Sequence, residues 1–237
     1  MTGTLFVCAT PIGNLEDASP RLIETLSKCS LILAEDTRRT LKLLSSFDLK
    51  IPMQSFFQHN EPMIINRAIE TLKRIGNVAL VSDAGVPTLA DPGQTLIQKA
   101  HEENIQVIPI PGPSAITTAI CASGFFAQTF NFRNFLPRKP GALAKSLQSI
   151  GTERRTTVIF ESPHRLLQLL DAIQKNIGDC EVLVAREMTK IHESYIKGTP
   201  SQVIKTLGTG ETKGEITIVI GFKGRYDEDD DQDSSYS

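Results

Sequence analysis

The sequence predicts an α/β protein built as two α/β domains, and three observations lead there. Short runs of strand-forming residues alternate with amphipathic stretches of helical period. A capping residue followed by Pro recurs at the head of the helical stretches. After "PGPS" (111–114) the order of elements changes, which places a boundary near residue 113. The expected division is 1–113 and 114–224, with 225–237 as a disordered acidic tail. Two domains of this size would leave a cleft between them, a favoured place for ligands.

The elements follow in order. "TLFVC" (4–8), "LILA" (31–34), "VALVSD" (78–83) and "QVIPI" (106–110) read as strands. Between them, 19–29, 37–47, 61–75 and 92–103 carry apolar residues three and four apart, as Leu96, Ile97 and Ala100 do. This alternation predicts a mostly parallel sheet covered by helices. Beyond it come a helix in "AITTAICASG", a strand at 129–137 with alternating Phe130 and Phe132, and a helix near 141–150. Strand 156–162, helix 163–177, strand 181–188, "ESYIKG" (193–198), helix 200–207 and strand 215–222 complete the chain. Ser19-Pro20, Asp91-Pro92, Ser162-Pro163 and Thr199-Pro200 are the four start signals, and Asp91 with Gln94 forms a D-x-x-Q capping box.

Bulk composition narrows the class. The chain has 237 residues, 40% of them hydrophobic and 22% charged, with no Trp. No apolar run reaches a membrane span, and "MTGTLFVCATPIG" lacks the pattern of a cleavable leader. Cys8, Cys29, Cys121 and Cys180 are widely spaced, with no CxxC pair, which argues against a zinc site or a disulfide framework and for a reducing cytoplasm. The formal net charge of −2 conceals an uneven distribution. The last twelve residues, "YDEDDDQDSSYS", hold six acids and no base, so the remainder carries 25 basic against 21 acidic residues. A solubilising tail and a competitor for an anionic ligand are both open readings of that end.

Four loops lie just past strand ends: "TPIGNL" (10–15), "AEDTRRT" (34–40), "SDAGVP" (82–87) and "PGPS" (111–114). In open α/β sheets this is the edge that binds ligands. None is a GxGxxG fingerprint or a GxxxxGK[ST] phosphate loop, so NAD and ATP are not supported. Gly85 permits close backbone approach and Pro87 stiffens the exit, which suits either a turn or a ligand cradle. "AEDTRR" is a helix start capped by Asp36 or Thr37, or else a carboxylate and a guanidinium aimed at a ligand. "FESPHR" (160–165) has the same ambiguity, with Ser162 as cap and Glu161, His164 and Arg165 as candidates. Arg133, Arg138, Lys139, Lys145, Arg154 and Arg155 cluster against Glu153 alone, with Phe132 and Phe135 among them. That pattern fits RNA, or a solvated surface.

Taken together, "TPIGNLED", "AEDTRRTLKLL", "HNE", "VALVSDAGVPTLADPG", "PGPSA", "FLPRK", "FESPHRL" and "AREMTK" resemble, in this order, the small-subunit ribosomal RNA methyltransferase I family of the tetrapyrrole methylase superfamily. The resemblance spans residues 4–222. It implies a Rossmann-like first domain and S-adenosylmethionine-dependent methylation of the ribose 2′-oxygen of a cytidine in the 16S rRNA decoding region. It further implies a homodimer that holds the donor in the cleft between domains and acts on 16S rRNA or the 30S subunit, with no metal and no membrane. The donor is then expected at Pro11, at Asp83, Ala84 and Gly85, at Ser114 and Ala115, and at Ala185 and Glu215. A ribose hydroxyl needs a base or acceptor; Glu35 or Asp36 is the candidate, with Glu161 in reserve. Arg38, Arg165, Arg186 and Lys190 would hold phosphates, together with Arg138 and Lys139 of the basic segment. Two other readings stay open: a methyltransferase of the same fold acting on a tetrapyrrole or a modified protein side chain, and a non-catalytic RNA- or ribosome-binding protein. The chain departs from the family at Val86, Thr88, Leu89 and Ala90, at Asn134, where Gly is usual, and at Arg39, where His is common.

Overall fold

Strands buried on both faces need almost continuous apolar runs, and the first half of the chain supplies them. In a computed structural model describing residues 2–57, 61–74, 76–208 and 213–222, these runs become β1 (Leu5–Cys8), β2 (Leu31–Ala34), β4 (Val78–Val81) and β5 (Val107–Ile110). A three-residue edge strand, β3 (Met53–Ser55), joins them, although the alternation in the sequence gives no sign of it. Every pairing in this sheet is parallel, in the order β3-β2-β4-β1-β5.

Helices α1 (Pro20–Ser27) and α2 (Thr37–Ser46) cover one face; α3 (Glu61–Lys73) and α4 (Gln94–Glu102) cover the other. The twofold alternation of strand side chains sorts the two cores. Ile32, Ala34, Ala79 and Val81 pack with Leu22, Leu26 and Leu44, whereas Leu31, Leu33, Val78 and Leu80 pack with Ile65, Leu72 and Leu96. The chain divides at Ser114 and Ala115 into two compact units, and this sheet with its four helices is the first.

The second unit opens with α5 (Ala115–Ser123) and contains β6 (Phe130–Phe135), α6 (Pro140–Glu153), β7 (Thr156–Glu161), α7 (Leu166–Asn176), β8 (Glu181–Arg186), β9 (Ser194–Gly198), α8 (Pro200–Leu207) and β10 (Ile216–Gly221). Its sheet runs β6-β7-β10-β8-β9, and only β6 and β7 pair in parallel. The predominance of parallel strands expected from the first half therefore stops there, because β8, β9 and β10 pair antiparallel. Leu147, Ile150, Leu169, Leu170, Ile173 and Val203 pack on Ile159, Val182, Val184, Ile216, Ile218 and Ile220. Helix α5 lies against β10, β7 and β8. Among the described residues no helix is long and apolar enough to cross a membrane. His59 and Asn60 of "HNE" and the acidic tail lie outside the described residues.

Two of the four start signals act as expected. The Ser19 side chain accepts from the Leu22 N–H at 3.0 Å. Thr199 and Gln202 form a reciprocal capping box on α8. The Asp91-Pro92 signal fails: α4 begins at Gln94, and its N-cap is Gly93 at φ 132°, with no side-chain cap. A Cβ on Gly93 would lie 2.5 Å from Leu80 Cδ2, so only glycine fits this entry. Ser162-Pro163 opens a single 3-10 turn, Pro163–Arg165, with no bond from the Ser162 side chain. Thr199→Ala is expected to lower stability by about 1 kcal/mol, the usual value of a lost N-cap. Urea unfolding midpoints check this; an unchanged midpoint would deny the box any role.

Candidate functional site

Strand connectivity decides where a ligand can enter the first unit. The chain leaves β1 and β2 toward the α1/α2 face but leaves β4 toward the α4 face. Because β4 sits between β2 and β1, the backbone parts on both sides of its carboxyl end. Such a switch point is where open α/β sheets hold ligands. The residues emerging there are Ser82, Asp83, Ala84 and Gly85.

These residues are tied down by specific bonds. Gly85 (φ 80°) pairs with Thr10 in both directions: Thr10 N–H donates to the Gly85 carbonyl at 2.9 Å and Gly85 N–H to the Thr10 carbonyl at 3.0 Å. A Cβ on Gly85 would meet Ile12 Cγ2 at 3.3 Å and the Pro113 carbonyl at 3.6 Å. Ser82 Oγ donates to the Gly85 carbonyl at 3.3 Å, and Thr10 Oγ1 to the Ser82 carbonyl at 3.4 Å. Three of the four loops thus converge on Gly85. The fourth, at 35–39, is joined through Asp83, whose Oδ1 accepts the Asp36 N–H at 2.9 Å and whose Oδ2 lies 3.5 Å from Arg39 Nε. A cavity of about 190 Å³ opens here, lined among others by Thr10, Pro11, Gly13, Arg39, Lys42 and Asp83.

The carboxylates of this edge differ in kind. Asp36 is the N-cap of α2: its Oδ1 accepts from the Arg38 N–H at 2.9 Å and Nε at 3.0 Å, and its Oδ2 from Nη2 at 2.7 Å. Those bonds to the Arg38 side chain and backbone hold it well below the usual carboxylate range. Glu35 is half-buried, and burial, then the charges of Asp91 and Asp83, raise its pKa. Asp91 is also raised, first by burial and then by Asp83, while a hydrogen bond from Ser82 works the other way. The residue read as a helix cap is therefore a member of a carboxylate group, balanced by Arg39. Pattern reasoning has Arg39 only as one of the guanidiniums of "AEDTRR" and Thr10 only as part of the "TPIGNL" loop, naming neither as a site residue, and reads Asp91 as a helix cap. For Arg39, the Arg in place of the usual His is the available signal.

In the second unit several candidates are already engaged. Glu161 is buried at the end of β7; its Oε1 accepts the Ser162 N–H at 2.6 Å, and its Oε2 lies 3.4 Å from Arg165 Nη2 without hydrogen-bond alignment. Arg165 also reaches the carbonyls of Leu136 and Pro137 at 3.4 and 3.5 Å. Arg186 donates to Ser194 Oγ and the Lys213 carbonyl, both at 3.3 Å. Lys190 bonds Glu187 at 2.8 Å and Glu215 at 3.1 Å. These cations act as internal struts, so a phosphate would have to compete for them. Ala185 is fully buried in mid-strand, paired on both sides with Thr217 and Tyr195, which leaves no free side chain for a ligand. Glu215 is largely exposed, and its N–H donates to Glu187 at 2.8 Å. Ser114 directly precedes α5, and Ala115 is its first residue. Arg138 and Lys139 are exposed at the start of α6. Among the described residues no group of His, Cys, Asp or Glu is placed to hold a metal.

A family model described as tetrapyrrole (corrin/porphyrin) methylases matches residues 4–204. The chain is 45% identical over 221 residues to ribosomal RNA small subunit methyltransferase I of Thermotoga maritima, covering 93% of this chain and 99% of that one. This chain belongs to the tetrapyrrole methylase family, in its ribosomal RNA small subunit methyltransferase I branch. The Bacillus subtilis member is 39% identical over 234 residues, 99% of this chain and 80% of its own. Solved structures of low sequence identity share the fold. The methyltransferase CobJ aligns with a TM-score of 0.69 at 16% identity, over 94% of this chain and 95% of its own. Uroporphyrin-III C-methyl transferase from Thermus thermophilus, complexed with S-adenyl homocysteine, aligns with a TM-score of 0.62 at 14% identity, over 92% and 97%. The family anticipated from eight short segments is the family found.

The carboxylate group makes a prediction about pH. The pKa of Asp91 is raised in the fold, so its contribution is most favourable below its unfolded value near 4 and is lost as pH rises through the folded value. Asp91→Asn keeps the shape and removes the buried charge. The variant is expected to be more stable than the parent at pH 7.5 and equal to it at pH 4 and below, by denaturant midpoints at both pH values. A variant less stable at pH 7.5 would contradict the assignment.

Proposed function

We propose that this chain transfers a methyl group from S-adenosylmethionine to the ribose 2′-oxygen of a cytidine in the decoding region of 16S rRNA, with the 30S subunit as partner. The observation that carries the proposal is likeness over nearly the whole chain to relatives named ribosomal RNA small subunit methyltransferase I. The edge at Gly85 supports it. A glycine at φ 80°, a backbone conformation that side chains rarely adopt, keeps this strand end bare of a side chain and close to Ile12 and Pro113. Backbone of Pro11, Ala84 and Gly85 would hold the donor, with Ser114 and Ala115 next along the chain, and Asp83 would fix the loop through its carboxylate. Ala185 and Glu215 remain donor candidates through their backbone. When bound, the donor supplies a methyl already activated on a sulfonium, so placement of the acceptor accounts for much of the acceleration.

Glu35 is the residue we assign to accept the 2′-hydroxyl proton as the oxygen–methyl bond forms. Its raised pKa brings its basicity toward the working pH, which suits a general base. Asp36 is committed to Arg38 and Glu161 to Ser162 and Arg165, so both are weaker candidates. Arg138 and Lys139 are exposed cations suited to phosphates, while Arg38, though exposed, is bonded to Asp36 and would have to share that bond. Arg165, Arg186 and Lys190 would reach phosphates only by exchanging internal partners. We place the protein in the cytoplasm as a homodimer; unpaired Cys121, exposed on α5, is compatible with a reducing compartment.

Labelled donor and 30S subunits lacking the mark, followed by ribose-methylation mapping, should put label on one decoding-region cytidine. Label absent while calorimetry still detects the donor would redirect the assignment to tetrapyrrole or protein acceptors. Donor undetected would favour a non-catalytic binder. In single turnover, Glu35→Gln should slow methylation by about 10²-fold or more and Asp36→Asn much less; equal rates for both variants and parent would remove the base assignment. Gly85→Val should weaken donor binding by at least about tenfold in calorimetry, because its side chain would occupy the cradle.

A further inference from the structure

At the edge of the second sheet, β6 carries a one-residue bulge. Phe132 stands opposite Val158, yet Phe135, not residue 134, stands opposite Phe160. The extra residue is accommodated at Asn134, whose φ of 52° lies in the left-handed region. Its Oδ1 is buried without a hydrogen-bond partner. A bulge at a sheet edge re-aims a side chain, and strain of this kind collects at functional sites.

The side chain re-aimed is Phe135. It is 57% exposed, an uncommon state for Phe. Its ring lies 5.9 Å from that of Phe160, which packs edge-on to Phe132 at 5.0 Å, so an exposed aromatic face rests on a fixed aromatic base. Phe135 lines a cavity of about 410 Å³ with Arg133, Leu136, Pro137, Lys145, Ser146 and Ser149, within the range of small-ligand sites.

Charge around this groove is one-sided. Glu153 is neutralised by Arg133 and also accepts from Ser149 and Asn131. Lys145, Arg138 and Lys139 are exposed and form no ion pair among the described residues. Lys145 and Ser149 are four apart on α6 and so share the face that lines the cavity. An aromatic face flanked by unpaired cations is the chemistry that holds single-stranded nucleic acid, through base stacking and phosphate contacts.

We propose that the β6–α6 groove is an RNA subsite in which one unstacked base lies on Phe135 and a neighbouring phosphate is held by Lys145. It deepens the RNA methyltransferase assignment and rests on it. The absence of Trp from the chain makes the test direct, because Phe135→Trp installs a single fluorophore at the platform.

The experiment uses the full chain and a labelled single-stranded oligoribonucleotide, with an abasic strand of equal length as control. Phe135→Trp is expected to bind like the parent, with tryptophan emission quenched by the base-bearing strand and not by the abasic one. Phe135→Ala should weaken the base-bearing strand by about tenfold and leave the abasic strand unchanged. Lys145→Glu should weaken both and lower the salt dependence of binding by about one phosphate. Parent-like affinity of Phe135→Ala, or no quenching in Phe135→Trp, would overturn the subsite while leaving the methyltransferase assignment standing. A parent that binds neither strand would overturn the subsite and count against the RNA assignment as well. A change of mass in light scattering for Phe135→Ala would identify the face as a protein contact and also overturn the proposal.

Discussion

The parallel pairing of β4 between β2 and β1 is the constraint from which the first unit's chemistry follows. With β4 in that position and β5 beyond β1, a right-handed crossover carries the connection of β4 over the face opposite to those of its two neighbours. The two helical layers then part above its carboxyl end. Only a backbone able to run close to its neighbours can pass there, which is why Gly85 pairs with Thr10 and lies against Ile12 and Pro113. Gly93 serves the same strand from below, fitting its backbone against Leu80 where any side chain would collide. Two glycines with positive φ thus bracket the loop, one paired with Thr10 at the strand end and one locked against Leu80.

Asp83 binds this arrangement to the β2 edge. It accepts the Asp36 N–H and faces Arg39, so that the start of α2 is bonded to the end of β4. Burial first, with the charges of Asp91 and Asp83 after it, raises the pKa of Glu35, and burial followed by the Asp83 charge raises that of Asp91. Asp83 therefore holds the loop geometrically and adds to the basicity of its neighbours. The Arg39 guanidinium limits the second effect, since three uncompensated carboxylates so close together would strongly disfavour the fold.

Much of this was legible in the sequence because it rests on local rules. The buried parallel strands betray themselves by unbroken apolar runs, and α1 and α8 by a capping hydroxyl before Pro. The loop convergence could be anticipated from the strand ends alone. What escaped did so for physical reasons. Strand β3 is three residues long and half-buried, too short to show a period. Asp91 satisfies a capping pattern that tertiary contact overrides, since its carboxyl bonds to Ser82, despite the like charge of Asp83, while Gly93 starts the helix. The antiparallel half of the second sheet follows from pairing at long sequence separation, which no local pattern encodes. The bulge at Asn134 looked like a departure from a family glycine; its consequence for Phe135 depends on the register with β7.

Cations of the second unit show how composition alone misleads about binding. Arg133, Arg165, Arg186 and Lys190 are all basic residues near expected contacts, yet each is held by a carboxylate or carbonyl of its own unit. An internally paired cation has already been partly neutralised, and to bind phosphate it must first leave its partner, which subtracts from the gain. An exposed, unpaired cation releases counterions condensed on the RNA phosphates on contact and keeps the full benefit. By that argument electrostatic attraction for RNA falls on the exposed Arg138, Lys139, Lys145 and Arg155 rather than on every basic residue of the segment. The paired residues instead give the surrounding loops their shape. Arg165 is the clearest case, for it lies beside Glu161 and donates to the carbonyls of Leu136 and Pro137, just beyond Phe135.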